Sequence, residues 1–192
     1  MKSRLLAVFI VLCLPLCACP SYSLHPIYTD EDAVVEPALE GTWGVDRDDN
    51  AELVFERSGD DEYTLAISCP DSKALQNYKV HLVPLDGQLF MDLVFENQTV
   101  EGTKVEEPVG AFNAHLILKV NISRDDLAYA TLEDDAIRKP VIPGSTPLDY
   151  DQSDEGLLVT AQTDALRDYI SAHAEDGFSD FEHLKRRDRT SK

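Results

Sequence analysis

From Glu62 to Leu132 the chain repeatedly alternates apolar and polar positions. In "EYTLAIS" the side chains Tyr63, Leu65 and Ile67, followed by Cys69, share one face against Thr64, Ala66 and Ser68, the pattern of a half-buried strand. "NYKVHLV" sets Tyr78, Val80 and Leu82 against Lys79 and His81, and "QLFMDLVFE" sets Leu89, Met91, Leu93 and Phe95 against Asp92 and Glu96. Between these two runs stands Asp86-Gly87, a pair suited to the positive φ angles of a two-residue hairpin turn. "FNAHLILKVNI" and "DLAYATL" continue the pattern, joined by the polar turn Ser123-Arg124-Asp125. Short strands joined mostly by turns predict an antiparallel meander, which at this length closes into a barrel or folds into a sandwich.

Around this centre the pattern changes. Residues 20–38 carry three prolines, an acidic cluster and little periodicity, and read as a tether between membrane and domain, with Leu24, Ile27 and Tyr28 expected to dock back on the domain. Strand character begins at "LEGTWGV". Residues 139–156 are rich in Pro, Gly, Ser and Asp and predict a long loop, either functional or disordered. After "GLLVTA" comes one helix, near 163–174. Thr163 is its expected N-cap, Asp164 stands in the first turn, and Leu166, Tyr169, Ile170 and His173 follow at helical spacing. Gly177 ends it, and "FSDFEHLKRR" returns as a last strand. The organisation expected is a leader (1–18), a tether (19–38), a single β-rich domain (39–187) and a tail (188–192). A chain of 192 residues is long enough for one ordinary core.

The leader follows from the first nineteen residues. Lys2 and Arg4 precede an uncharged run from Leu5 to Cys17, too short for the roughly 20 apolar residues of a spanning helix and laid out as a secretory signal. Within it "LCAC", Leu16-Cys17-Ala18-Cys19, resembles the lipobox of bacterial lipoproteins. The resemblance implies cleavage before Cys19 and a diacylglycerol on its thiol. Pro20 stands where lipoproteins retained at the inner membrane of some bacteria carry Asp, which directs the expectation to the outer membrane, facing the periplasm or the surface. Cys13 and Cys17 leave with the leader, so Cys69 is the only remaining thiol and no disulfide framework is expected. The alternative is a plain secreted chain in which Cys19 and Cys69 form one bridge.

A second resemblance lies at Gly41-Thr42-Trp43. Opening a β meander that later has a helix, "GTW" is similar to the G-x-W signature of lipocalins and lipocalin-like barrels. By that likeness Trp43 packs across one end of a barrel and the glycine lets the strand turn in. The other reading of Trp43 is a core tryptophan in an unrelated sandwich. The fold class expected is mainly β: a meander forming a lipocalin-like barrel or half-barrel, with one C-terminal helix.

Charge and chemistry narrow the function. The formal net charge is -19, and loss of the leader removes two cations and no acid, so the mature chain is more acidic still. Such a balance argues against nucleic acid, whose phosphates need Lys and Arg clusters, and against electrostatic adhesion to anionic lipid. His25, His81, His115, His173 and His183 are far apart in sequence with no metal-ligand spacing, and His81 and His115 fall opposite the main apolar faces, at surface or second-layer positions. Cys69 reads as a buried thiol without a basic partner. "DRDDN" (46–50) lacks the Gly and the bidentate Glu of an EF-hand loop and reads as a solvated turn. The sequons at Asn97 and Asn121 matter only on a eukaryotic route, and "KRRDR" (185–189) reads as a solvated tail. No catalytic residue, metal or cofactor is expected. The leading expectation is a membrane-anchored envelope protein that binds a small apolar ligand or a protein partner. Its rivals are a structural envelope component without ligand and, behind that, an enzyme using residues 140–156.

Overall fold

A computed structural model describes residues 21–29, 31–45, 51–69, 74–100, 102–105, 113–138, 147–153 and 156–187. In chain order the elements are β1 (Tyr22–Ser23), a 3-10 turn (Pro37–Leu39), β2 (Gly41–Gly44), β3 (Glu52–Arg57), β4 (Glu62–Cys69), β5 (Ala74–Leu85) and β6 (Gln88–Val100). There follow β7 (Thr103–Val105), β8 (His115–Ile122), β9 (Asp126–Thr131), α1 (Asp134–Arg138), β10 (Tyr150–Ser153), β11 (Gly156–Val159), α2 (Thr163–Ala172) and β12 (Glu182–Arg187).

Eight of these strands close on themselves. The order β8-β9-β12-β2-β3-β4-β5-β6 is antiparallel throughout, and β6 pairs back onto β8. The expected meander is therefore a closed barrel. The Asp86-Gly87 turn forms as expected, with φ of 48° and 81° and Leu85 paired to Gln88. β7 extends the free part of β6. β1 adds to the start of β8, with β11 parallel to it and β10 at the edge.

Alternation along the barrel strands produces two separate cores. Inward-facing residues such as Trp43, Phe55, Leu65, Val80, Met91 and Leu118 fill the interior. Outward-facing Val83, Phe90 and Ile117 are covered by Ile27, Ile137, Leu166 and Ile170, so this side of the barrel carries a second layer. The helix docks through Leu166, Tyr169 and Ile170. It is fastened by Tyr169 Oη donating to Ala136 O (2.6 Å) and by Lys119 Nζ donating to Ala174 O (2.6 Å), a cation at the carbonyl end.

Four expectations need correction. Residues 19–38 were expected to be a tether, yet from Ser21 onward they are part of the fold: Ser21, Ser23 and Ile27 are buried and Val34 bridges to Leu82. The expected loop 139–156 contains β10 and a buried Leu148 within its described part, because the edge of β11 accepts a short polar strand. Thr163 is the first helical residue rather than the cap; Gln162 occupies the cap position without a side-chain capping bond to the helix. Arg186 and Arg187, expected in a solvated tail, lie on β12 and pack against β2. The five-residue α1 was not anticipated.

Candidate functional site

The polar groups that the second layer covers form a row across the outer face of the sheet. The two-residue turn at 86–87 fixes the β5–β6 register and so sets His81 opposite Asp92; the next pairing sets Glu62 opposite His81. His115 is the diagonal neighbour of Asp92 on β8. Directly paired residues share a face at about 5 Å between Cβ atoms, so the register alone assembles the row.

Asp92 is fully buried and both its oxygens are engaged. Oδ1 lies 2.6 Å from His115 Nδ1 and Oδ2 accepts from the Ile27 backbone N–H at 2.9 Å. His81 is buried with its ring stacked on Tyr28, 3.9 Å between centroids at 21°, and its Nε2 stands 3.7 Å from Glu62 Oε2. Its Nδ1 has no hydrogen-bond partner. Burial pushes the His81 imidazole below the usual histidine range, against the upward pull of Glu62 and Asp92. Burial alone would raise Glu62, but hydrogen bonds from Lys79 and Ser58 hold its carboxyl below the ordinary value. Further along the same segment Arg167 Nη1 donates to Ile27 O at 2.6 Å and reaches Asp32 Oδ2 at 2.5 Å. Asp32 would rise with burial; Thr29 and Arg167 together keep it low.

The arrangement clamps residues 27–32 to the outside of the barrel. A carboxylate that accepts from a main-chain N–H and an imidazole is satisfied. His173, at the end of α2, is fully buried beside Tyr169 with neither ring nitrogen hydrogen-bonded. Its Nδ1 is 3.4 Å from Asp176 Oδ1 but outside bonding geometry, so it serves as packing.

One barrel end is sealed by a second constellation. Trp43 is fully buried, its Nε1–H donating to Leu39 O at 2.8 Å, and the Arg186 guanidinium lies 4.3 Å from the ring centroid, a cation–π geometry. Arg186 donates to Ala38 O (2.5 Å), Glu40 O (2.7 Å) and Arg124 O, joining three chain segments over the indole. Tyr63 Oη donates to Glu36 O (2.9 Å) and accepts from Glu36 N–H (2.8 Å). Gly41, at φ 131°, and Gly44 leave the room that the arginines use: an added Cβ would fall 2.5 Å from Arg186 Nη1 and 2.2 Å from Arg187 Nε, respectively.

Of the residues singled out from sequence, Cys19 and Asp46-Asp48-Asp49-Asn50 lie outside the described residues. Cys69 ends β4 opposite Ala74. His81 and His115, expected apart, converge on Tyr28 and Asp92. His25 pairs with Gln162 and His183 with Asp126. Among the described residues no three His, Cys, Asp or Glu side chains are placed to hold a metal ion, and no helix is long and apolar enough to cross a membrane. Asp92 was missed altogether, although the Asp-Gly turn implies its pairing with His81. No family model, no curated protein and no solved structure matches this chain.

Proposed function

We propose that this chain is a lipid-anchored protein of a bacterial envelope that acts as a non-enzymatic interaction module, its lipocalin-like barrel serving as a rigid scaffold for contact with a protein partner. The observation that carries the reading is the packed interior. The void among Leu53, Phe55, Met91, Leu118 and Leu184 measures only about 20 Å³, room for a water at most, whereas pockets for small ligands run to roughly 300–1,000 Å³. An apolar ligand inside the barrel would need these side chains displaced. The buried ionisable groups support the same reading, since they bind the chain to itself. The anchor rests on "LCAC" at the end of a charged-then-apolar leader.

Native mass spectrometry of the domain purified from its own host tests the scaffold reading. The expected result is the polypeptide mass alone; a co-purifying lipid or metabolite would put the ligand-binding alternative first. The address is tested by Cys19→Ser, expected to move the protein from the membrane to the soluble fraction. Retention with unchanged gel mobility would overturn it.

A further inference from the structure

The distance from the proposed anchor to the fold is very short. Ser21 is already buried, its Oγ donating to Asp134 Oδ1 at 2.5 Å, and only Pro20 stands between it and Cys19. Two residues span at most about 7 Å. A bilayer holding an acyl chain on Cys19 therefore lies against the part of the fold where β1 begins, with no slack for the domain to turn freely.

That part of the surface has the side chains an interface would accept. Along β1 successive residues alternate: Ser23 is buried, while Tyr22 and Leu24 on the other side are 38% and 39% exposed. The ladder continues through Leu24, whose N–H donates to Val159 O at 2.8 Å, so the pair stays aligned. Leu158, half-buried, is the partner of Tyr22 on β11. Tyrosine and leucine together suit the boundary between headgroups and acyl chains. Exposed Asp151 lies opposite Leu158 on β10, and with a formal net charge of -19 this selects zwitterionic over anionic lipid.

We infer that the β1 face, Tyr22 with Leu24 and Leu158, is the seat by which the lipidated protein rests directly on a zwitterionic bilayer. The inference builds on the anchor proposed above and adds an orientation to it. The end closed by Trp43 and Arg186 points away: Arg124, whose carbonyl Arg186 takes, lies in the turn beyond the far end of β8, whose last residue Ile122 stands about 20 Å along the strand from Leu116, the β8 partner of Tyr22.

The test uses the full lipidated chain in dioleoylphosphatidylcholine nanodiscs doped with a gadolinium-headgroup lipid, read by amide and indole NMR signals. Signals of Tyr22–Leu24 and Leu157–Val159 are expected to be lost, while the Trp43 indole and the Arg186 amide persist. Uniform attenuation, or survival of the β1 signals as would follow if a second copy or another protein covered them, overturns the seat. The intact mass of the same sample separates the two levels. A mass without the diacylglyceryl group refutes the anchor and takes the seat with it, whereas a lipidated sample with intact β1 signals refutes the seat alone. In Tyr22→Ser/Leu24→Ser, both positions being partly exposed, the barrel persists and the selective loss should diminish. Undiminished loss would remove these two side chains from the seat.

Discussion

The inside and the outside of this barrel are built from the same strands by opposite means. Inside, almost everything is apolar, and cohesion comes from shape: Phe55, Leu65, Met91 and Leu118 meet across the axis, a contact that is non-directional and additive in area. Outside, beneath residues 21–35, a few apolar side chains share the layer with Asp92, His81 and His115, which act in particular directions on particular partners. The interior thus tolerates exchange among apolar residues of equal volume, while the outer layer depends on single hydrogen bonds whose loss strands a buried polar group. The barrel supplies stability; the outer layer decides where the N-terminal segment lies.

The largest effect is expected inside. Trp43→Ala removes a fully buried indole, its bond to Leu39 O and the platform for Arg186, and should cost about 3–5 kcal/mol, measured by denaturant unfolding followed by circular dichroism. A cost below about 1 kcal/mol would mean the closed end is not part of the core. Asp92→Ala should be smaller in global terms, about 2–3 kcal/mol, because it leaves the Ile27 N–H and the His115 ring without their acceptor. Its signature should be local: faster hydrogen exchange and proteolysis within residues 21–35, with Trp43 fluorescence unchanged. Simultaneous loss of both would show that the two layers form one cooperative unit.

Gly41→Ala probes the Trp43 end of the barrel and should cost about 1–3 kcal/mol, since φ is 131° and a Cβ there meets Arg186. The smallest effect is titration. Burial depresses His81, so its folded form takes up a proton less readily than its unfolded form. Its contribution is intact above the unfolded value of about 6.5 and is lost as pH falls through the lower folded value. Between about pH 7.5 and 5 the thermal midpoint should fall less steeply in His81→Phe, which keeps the stack on Tyr28, than in the unaltered protein. Equal slopes would assign the dependence elsewhere.

These contrasts explain how much was legible in the sequence. The interior was: alternation reports which side chains face in, and Asp86-Gly87 fixes a register. The helix positions Leu166, Tyr169 and Ile170 were visible by the same local logic, and Trp43, buried here, was singled out by the G-x-W resemblance. The outer layer was legible only in part: His81, Asp92 and His115 occupy the polar half of an alternating pattern, which left the two histidines at surface or second-layer positions, and only the cover decides between these. The cover itself, residues 21–35, has no periodicity. Ile27 is held by a carboxylate 65 positions away, a relation no short window contains. β10 escaped notice for a related reason: Tyr150–Ser153 becomes a strand only because β11 offers it an edge.

The position of β12 carries a consequence for biosynthesis. The last strand of the barrel fits between β9 and β2, so a nascent chain cannot close the sheet until residues 182–187 have emerged. Until then β2 and β9 are free edges flanking an exposed apolar surface, a state prone to pair with other chains. The two pairings that close the ring, β12 with β9 and with β2, join distant parts of the sequence, and such non-local pairings form slowly. The ring therefore closes last at β12, and Arg186 is the last bolt to be placed.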